Sequence, residues 1–213
     1  EVLGGDRNWD YRYTWIRDAS FTVYAFMRLG FSEEANAYVR WVRERVSDCC
    51  QEQVDLHLMY ALDGREQLPE SELRHLSGHG GATPVRIGND AHTQKQLDIY
   101  GELLDAVYLA NKYGEAISHE GWANVQTLVD KVCERWHEKD VGIWEMRDNP
   151  QHFLHSRLMC WVALDRALRL ANKRSLPAPF ARWDEARQAI HADIWDNFWD
   201  AEAGLWRMLI TAR

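Results

Sequence analysis

The segment Arg7-Asn8-Trp9-Asp10-Tyr11-Arg12-Tyr13-Thr14-Trp15-Ile16-Arg17-Asp18 packs three arginines, two aspartates and four aromatic residues into twelve positions. That density is unusual for a core and suits a polar, ring-shaped ligand. Arg17 beside Asp18 sets a bidentate donor next to a bidentate acceptor, the pair that holds vicinal hydroxyls of a sugar. Tyr11, Trp15 and the neighbouring Trp9 and Tyr13 supply flat apolar faces for a pyranose. The alternative is an Arg–Asp network that ties the chain start to its domain, with the aromatics filling core.

A second constellation is Val141-Gly142-Ile143-Trp144-Glu145-Met146-Arg147-Asp148. Glu145 beside Trp144 is a candidate general acid, because an aromatic, water-poor setting raises a carboxyl pKa toward the value a proton donor needs near neutrality. A solvated loop glutamate is the plainer reading. His152 and His155 follow at an i, i+3 spacing that could serve a metal, but no third strong ligand accompanies them, so capping and packing roles are expected and no metal or cofactor is assigned. The third constellation runs from Leu76 to Asn89 and holds four glycines, Gly78, Gly80, Gly81 and Gly88. No GKS or GKT follows, so it is read as a rim loop rather than a phosphate cradle. Arg86 and Asn89 are its candidates for hydrogen bonds to a polar ligand; the alternative is that they fix the loop's own backbone.

Apolar residues recurring at steps of three and four must position these groups. The stripe Trp122, Val125, Val129, Val132, Trp136 marks one helix, and similar stripes mark five more: Ile16–Phe26, Ala35–Val46, Leu97–Val107, Leu154–Leu168 and Trp183–Phe198. Ser32 and Ser118 are placed as N-caps of tight helical hairpins, after Gly30 and the Tyr113-Gly114 joint. The segments Cys49–Ala91 and Lys139–Phe153 lack helical periodicity and read as long functional loops, with a short extended piece at Val85-Arg86-Ile87. Helical hairpins separated by long loops are the layout of an all-α, α/α toroid.

Composition narrows the class of partner. The 213 residues are 46% hydrophobic and 27% charged with a net charge of −8, so the chain is globular and carries no basic footprint for nucleic acid or anionic lipid. No run reaches 18 apolar residues and the first residues lack a signal-peptide pattern, which points away from the membrane and toward the cytoplasm. Cys49, Cys50, Cys133 and Cys160 show no CxxC spacing and are expected as reduced, mostly buried thiols. The 11 tryptophans stand against roughly three for an average chain of this size, an excess that fits both sugar stacking and helix packing.

Taken together, the three constellations resemble the bacterial and archaeal branch of glycoside hydrolase family 15, which holds glucoamylase-like enzymes and trehalases. The matching residues are Gly4 through Ala19, Pro84 through Asn89 with Gln96-Leu97-Asp98-Ile99-Tyr100-Gly101-Glu102, and Gly142 through Arg147 with His152-Phe153 and Met159-Cys160-Trp161. The resemblance implies an (α/α)6 barrel whose loops form a pocket for the non-reducing glucose of an α-glucoside. It implies that Tyr11, Trp15, Arg17 and Asp18 line the innermost subsite, with Arg86, Asn89 and Trp144 as further pocket residues. Glu145 becomes the general acid of an inverting reaction that releases glucose from a glucoamylase or trehalase substrate.

The family's general base is expected on a later segment, beyond residue 213, and six helices are half of the twelve such a barrel requires. The expectation is therefore one partial catalytic domain over 1–213, without the β-sandwich that precedes the barrel and without its second half, inactive alone and prone to self-association through uncovered helix faces. A non-catalytic helical carbohydrate-binding or interaction module is the alternative.

Overall fold

The computed structural model describes residues 3–52, 55–113, 116–147 and 149–210. Gly114 of the second hairpin joint, Asp148 of the second constellation and Thr211–Arg213 lie outside them. The chain divides into two compact units, Glu1–Trp15 with His57–Gln94, and Ile16–Leu56 with Lys95–Arg213.

The first unit has little regular structure. Strand β1 (Thr14–Trp15) pairs antiparallel with β2 (Met59–Tyr60), placing Thr14 opposite Tyr60 and Trp15 opposite Met59. Strand β3 (Ser71–Glu72) pairs antiparallel with β4 (Arg86–Ile87), so the expected extended piece at 85–87 is a strand edge. Leu58, Met59, Tyr60 and Leu68 are its buried core. Just after β4 the chain must pass the Leu68–Pro69 backbone. Gly88 does so at φ 80°, where a Cβ would stand 2.0 Å from the Pro69 carbonyl oxygen, so only glycine fits.

The second unit carries six α-helices among the described residues: α1 (Ile16–Leu29), α2 (Ser32–Glu52), α3 (Asp98–Tyr113), α4 (His119–Arg135), α5 (Leu154–Arg174) and α6 (Phe180–Asp193). Each coincides with one apolar stripe, so the chain is all-α in class. Helix α2 continues into the segment read as loop, through Cys49 and Cys50 to Glu52, because Val42, Val46 and Cys49 keep one buried face in step.

The α1–α2 joint closes as a left-handed turn. Gly30 takes φ 90°, the Phe31 N–H donates to the Phe26 carbonyl at 2.9 Å, and the two phenyl rings meet at 6.0 Å. The Phe31 carbonyl then accepts the Ala35 N–H, so Phe31 takes the cap position and Ser32 opens the helix instead of capping it. Ser118 does cap α4: its hydroxyl accepts the Gly121 N–H at 3.1 Å.

The core of this unit centres on Leu104, Val129, Leu164, Ala167, Trp183 and Ile190, all buried. Trp122 meets Trp183 edge-on at 6.0 Å. After α6 the chain makes a π-helical turn (Ile194–Phe198), then a hairpin of β6 (Trp199–Asp200) with β7 (Leu205–Trp206). Strand β8 (Leu209–Ile210) pairs antiparallel with β5 (His152–Phe153), which leads into α5. Trp195, Trp199 and Trp206 cluster there, with Trp206 at 4.9 Å from each of the other two rings.

Helices α3 and α5 approach most closely at Gly101, where a Cβ would lie 2.1 Å from the Met159 carbonyl oxygen. Gly101→Ala gains about 1 kcal/mol of helix propensity but drives a methyl into backbone, which no rotamer change relieves. A net loss of about 2 kcal/mol is expected, read from urea unfolding; an unchanged midpoint refutes the close approach. The four cysteines are free, Cys49 and Cys160 buried, Cys50 and Cys133 half-buried. Among the described residues no helix is long and apolar enough to cross a membrane.

Candidate functional site

The sequence-derived site residues divide between the two units. Tyr11, Trp15, Arg86 and Asn89 belong to the first; Arg17, Asp18, Trp144 and Glu145 belong to the second.

In the first unit Asp10 organises the surroundings. Its carboxylate accepts from Arg12 Nε at 2.8 Å and Arg12 Nη2 at 2.8 Å, from the Tyr13 hydroxyl at 3.0 Å and from the Gly88 N–H at 3.1 Å. Hydrogen bonding from Arg12 outweighs the cost of burial and holds its pKa down at about 2. Asn89 Nδ2 donates to the Asp10 carbonyl at 3.1 Å while its Oδ1 accepts the Ala91 N–H at 3.0 Å.

Arg86 donates to the Asp6 carbonyl at 2.8 Å, pairs with Glu70 at 3.2 Å, and lies over the Trp9 ring at 4.3 Å. Asn89 and Arg86 thus tie the loop to the Asp6–Asp10 segment, to Glu70 and to Ala91. The Tyr11 ring meets that of Trp15 at 5.7 Å; Tyr11 is 58% exposed and Trp15 is buried. An exposed ring braced against a buried one is a face that a sugar can stack on.

In the second unit Arg17 opens α1 with its guanidinium buried. Nη1 donates to Gln96 Oε1 at 2.7 Å and to Asp98 Oδ2 at 3.0 Å, and Nη2 donates to Glu145 Oε1 at 3.4 Å. Asp18 stands beside it, Oδ2 at 3.8 Å from Nε, with its side chain 71% exposed. One arginine therefore holds a buried carboxylate, an exposed one and the candidate acid. Such a carboxylate-ringed guanidinium is held rigidly, while Asp18 stays open to a ligand.

Glu145 sits in a turn at φ 52°, a left-handed conformation that costs a non-glycine residue roughly 1–3 kcal/mol. The turn is closed by the Glu145 N–H donating to the Gly142 carbonyl at 3.2 Å and the Met146 N–H to the Val141 carbonyl at 3.3 Å. Gly142, at φ 65°, lies against Phe153, whose ring leaves no room for a Cβ. Trp144 is 70% exposed, so the apolar wall expected beside Glu145 is replaced by the Arg17 cation. A turn forced by Gly142 and Phe153 presents the carboxylate inward, and the indole is left at the surface.

Three groups that the sequence left unassigned complete the site. Buried Asp140 accepts the Leu97 N–H at 2.9 Å, the Ser156 hydroxyl at 2.7 Å and the Gly142 N–H at 3.3 Å. It thereby joins the segment before α3, the Glu145 turn and the first turn of α5; burial raises its pKa. Nothing in its sequence neighbourhood signals that role. Asp98 and Glu102 carry a clearer signal, two carboxylates four residues apart on one face of α3.

Glu102 is buried, and burial followed by the Asp98 charge pushes its pKa up to about 7. The folded chain thus keeps a proton that the unfolded chain releases above about 4.5, and stability falls as pH rises from there through about 7. Glu102→Gln removes the loss. The variant is expected to gain on the order of 2 kcal/mol over the parent between pH 5 and pH 8 in urea unfolding.

The two histidines separate. His152 is held by Arg157 at 2.8 Å and its pKa is lowered by burial, whereas His155 faces Asp98 and Glu102. Among the described residues no group of three or more His, Cys, Asp or Glu side chains is arranged to hold a metal ion.

Six α-helices among the described residues and an arginine set among three carboxylates are the features to compare with known proteins. Residues 4–208 match the family described as Glycosyl hydrolases family 15, and the chain belongs to that family. It is 41% identical over 197 residues to the trehalase of Mycobacterium tuberculosis, covering 92% of this chain and 29% of that protein. It is 40% identical over 174 residues to Trehalase 1 of Sulfolobus acidocaldarius, covering 81% of this chain and 31% of the other. To the trehalase of Thermoplasma acidophilum it is 34% identical over 197 residues, covering 92% and 32%. The chain spans about a third of the length of these curated relatives.

Proposed function

We propose that this chain supplies the glucose-binding residues and the general acid of an enzyme that hydrolyses trehalose with inversion. The observation that carries the reading is Arg17 holding Glu145 at 3.4 Å beside the exposed carboxylate of Asp18. Family membership supports a glycosidase, and the names of the relatives support trehalose over longer α-glucosides as the substrate.

In this reading Arg17 and Asp18 bind hydroxyls of the non-reducing glucose, and Tyr11 and Trp15 form its stacking face. Arg86, Asn89 and Trp144 are proposed as further substrate contacts. Glu145 protonates the glycosidic oxygen as the bond to the anomeric carbon breaks through an oxocarbenium-like state. A second carboxylate, roughly 6.5–9.5 Å away, activates the attacking water on the opposite ring face; no residue of this chain is assigned to that role. A sugar hydroxyl that draws the Arg17 Nη2–H to itself frees the Glu145 oxygen to face the glycosidic oxygen.

The test is trehalose binding by titration calorimetry. Saturable binding that Asp18→Ala abolishes is expected; absence of binding by the parent chain and by a chain extended to the length of the relatives overturns the assignment.

A further inference from the structure

Behind Arg17 lies a line of titratable groups that the proposed reaction leaves idle. Asp98 Oδ2, which accepts from Arg17 at 3.0 Å, is also 3.9 Å from His155 Nδ1, and His155 Nε2 is 3.8 Å from Glu102 Oε1. The line runs from α1 to α3, across to the first turn of α5, and back to α3 one turn further along. Asp98 is fully buried and Glu102 nearly so. Asp98 Oδ1 and His155 Nδ1 are both buried and make no hydrogen bond. Two unsatisfied polar atoms this close to a buried ion pair are costly unless another protonation state uses them.

We propose that Glu102 and His155 hold one proton between them and pass its charge through Asp98 to Arg17, which makes them positioning residues for the Arg17 clamp. Whenever that proton sits on His155 instead of Glu102, the imidazolium faces Asp98 and competes with Arg17 for its carboxylate. When the proton leaves, Asp98 is returned wholly to Arg17, and the clamp on Glu145 tightens. The two gaps exceed a hydrogen bond by about 1 Å, so a small ring movement or one bridging water closes each.

The other charged groups around the pair act in the same neighbourhood: Asp18 from α1, Asp105 from α3, and Asp140 and Glu145 from the segment before α5. Burial raises Glu102 to about 7 and lowers His155, which reverses the order of a free carboxyl and imidazole and makes Glu102 the resting holder of the shared proton. The consequence for catalysis rests on the proposed roles of Arg17 and Glu145; the coupling itself does not.

The coupling is therefore measured without hydrolysis, by NMR titration of this chain between pH 5 and 8.5. Two signals are followed, the His155 ring carbons and the Arg17 Nε–H. In the parent chain both are expected to move together as the Glu102 carboxyl titrates at about 7. In Glu102→Gln the His155 ring carbons lose that step, because no charge then changes 3.8 Å away. The Arg17 inflection near pH 7 disappears.

An Arg17 signal that stays flat in the parent overturns the proposal, as does an inflection that survives in Glu102→Gln. If Glu102→Gln does not fold, His155→Gln decides: loss of the Arg17 inflection supports the relay and its persistence refutes it. Failure here leaves trehalose binding and the role of Glu145 untouched, and failure of those leaves this coupling measurable.

Discussion

Arg17→Met is expected to destabilise the folded chain by about 3–5 kcal/mol, because it strips a buried carboxylate of its counter-charge. Asp98 is fully buried and Gln96 nearly so, and both spend a side-chain oxygen on Arg17 Nη1. Without the guanidinium Asp98 must protonate or stay buried and uncompensated. Methionine fills much of the same space, so the loss measures charge rather than cavity.

The comparison with Arg12 makes the point. Arg12 reaches Asp10 at 2.8 Å, yet its own side chain is 72% exposed, and removing it leaves a carboxylate that still accepts from Tyr13 and Gly88. A loss of about 1 kcal/mol is expected there. Equilibrium urea unfolding checks both. A double variant, Arg17→Met with Asp98→Asn, should recover a large part of the loss, since the pair acts as a unit. A cost below 1 kcal/mol for Arg17→Met would show that the clamp is not what holds this part of the chain.

The second large effect is on turnover. In a chain extended to the length of the trehalase relatives, Glu145→Gln is expected to lower kcat for trehalose by about 10²–10⁴-fold while leaving trehalose binding nearly unchanged. Glutamine keeps the shape and a hydrogen-bonding oxygen for Arg17 but carries no transferable proton. The decisive control is a substrate whose departing group needs no proton, such as α-glucosyl fluoride. Its hydrolysis should fall far less, because the acid acts on the leaving oxygen alone. Equal losses on the two substrates would assign Glu145 to positioning instead of proton donation.

Much of this was legible in the residues, for reasons that differ from place to place. The six helices follow from local periodicity, since burying one face of a helix imprints three- and four-residue steps on the sequence. Ser118 was legible as a cap for the same local reason, and Ser32 was not, because the Gly30 turn and the Phe26–Phe31 contact draw the cap back to Phe31. The end of α2 is not legible, because polar residues dilute the stripe there even though Val46 and Cys49 keep its buried face. Trp144 illustrates the limit for side chains. Adjacency to Glu145 suggested an apolar wall, yet in a tight turn neighbouring side chains diverge, and the indole is exposed.

The sequence by itself determined the helices, the family, and the chemical types on which the proposed sugar site rests: Arg17 with Asp18, the aromatic run from Trp9 to Trp15, and Glu145. These are properties of neighbours along the chain, and neighbours write periodicity and motif. Only the tertiary structure decided that Arg17 spends its donors on Gln96, Asp98 and Glu145, that Asp140 fastens the Glu145 turn to two other segments, and that His155 meets Asp98 and Glu102. Those partners lie tens of residues apart, and burial is what turns them from independent charges into one network, because charge coupling grows as water is excluded and burial is a property of packing rather than of order along the chain.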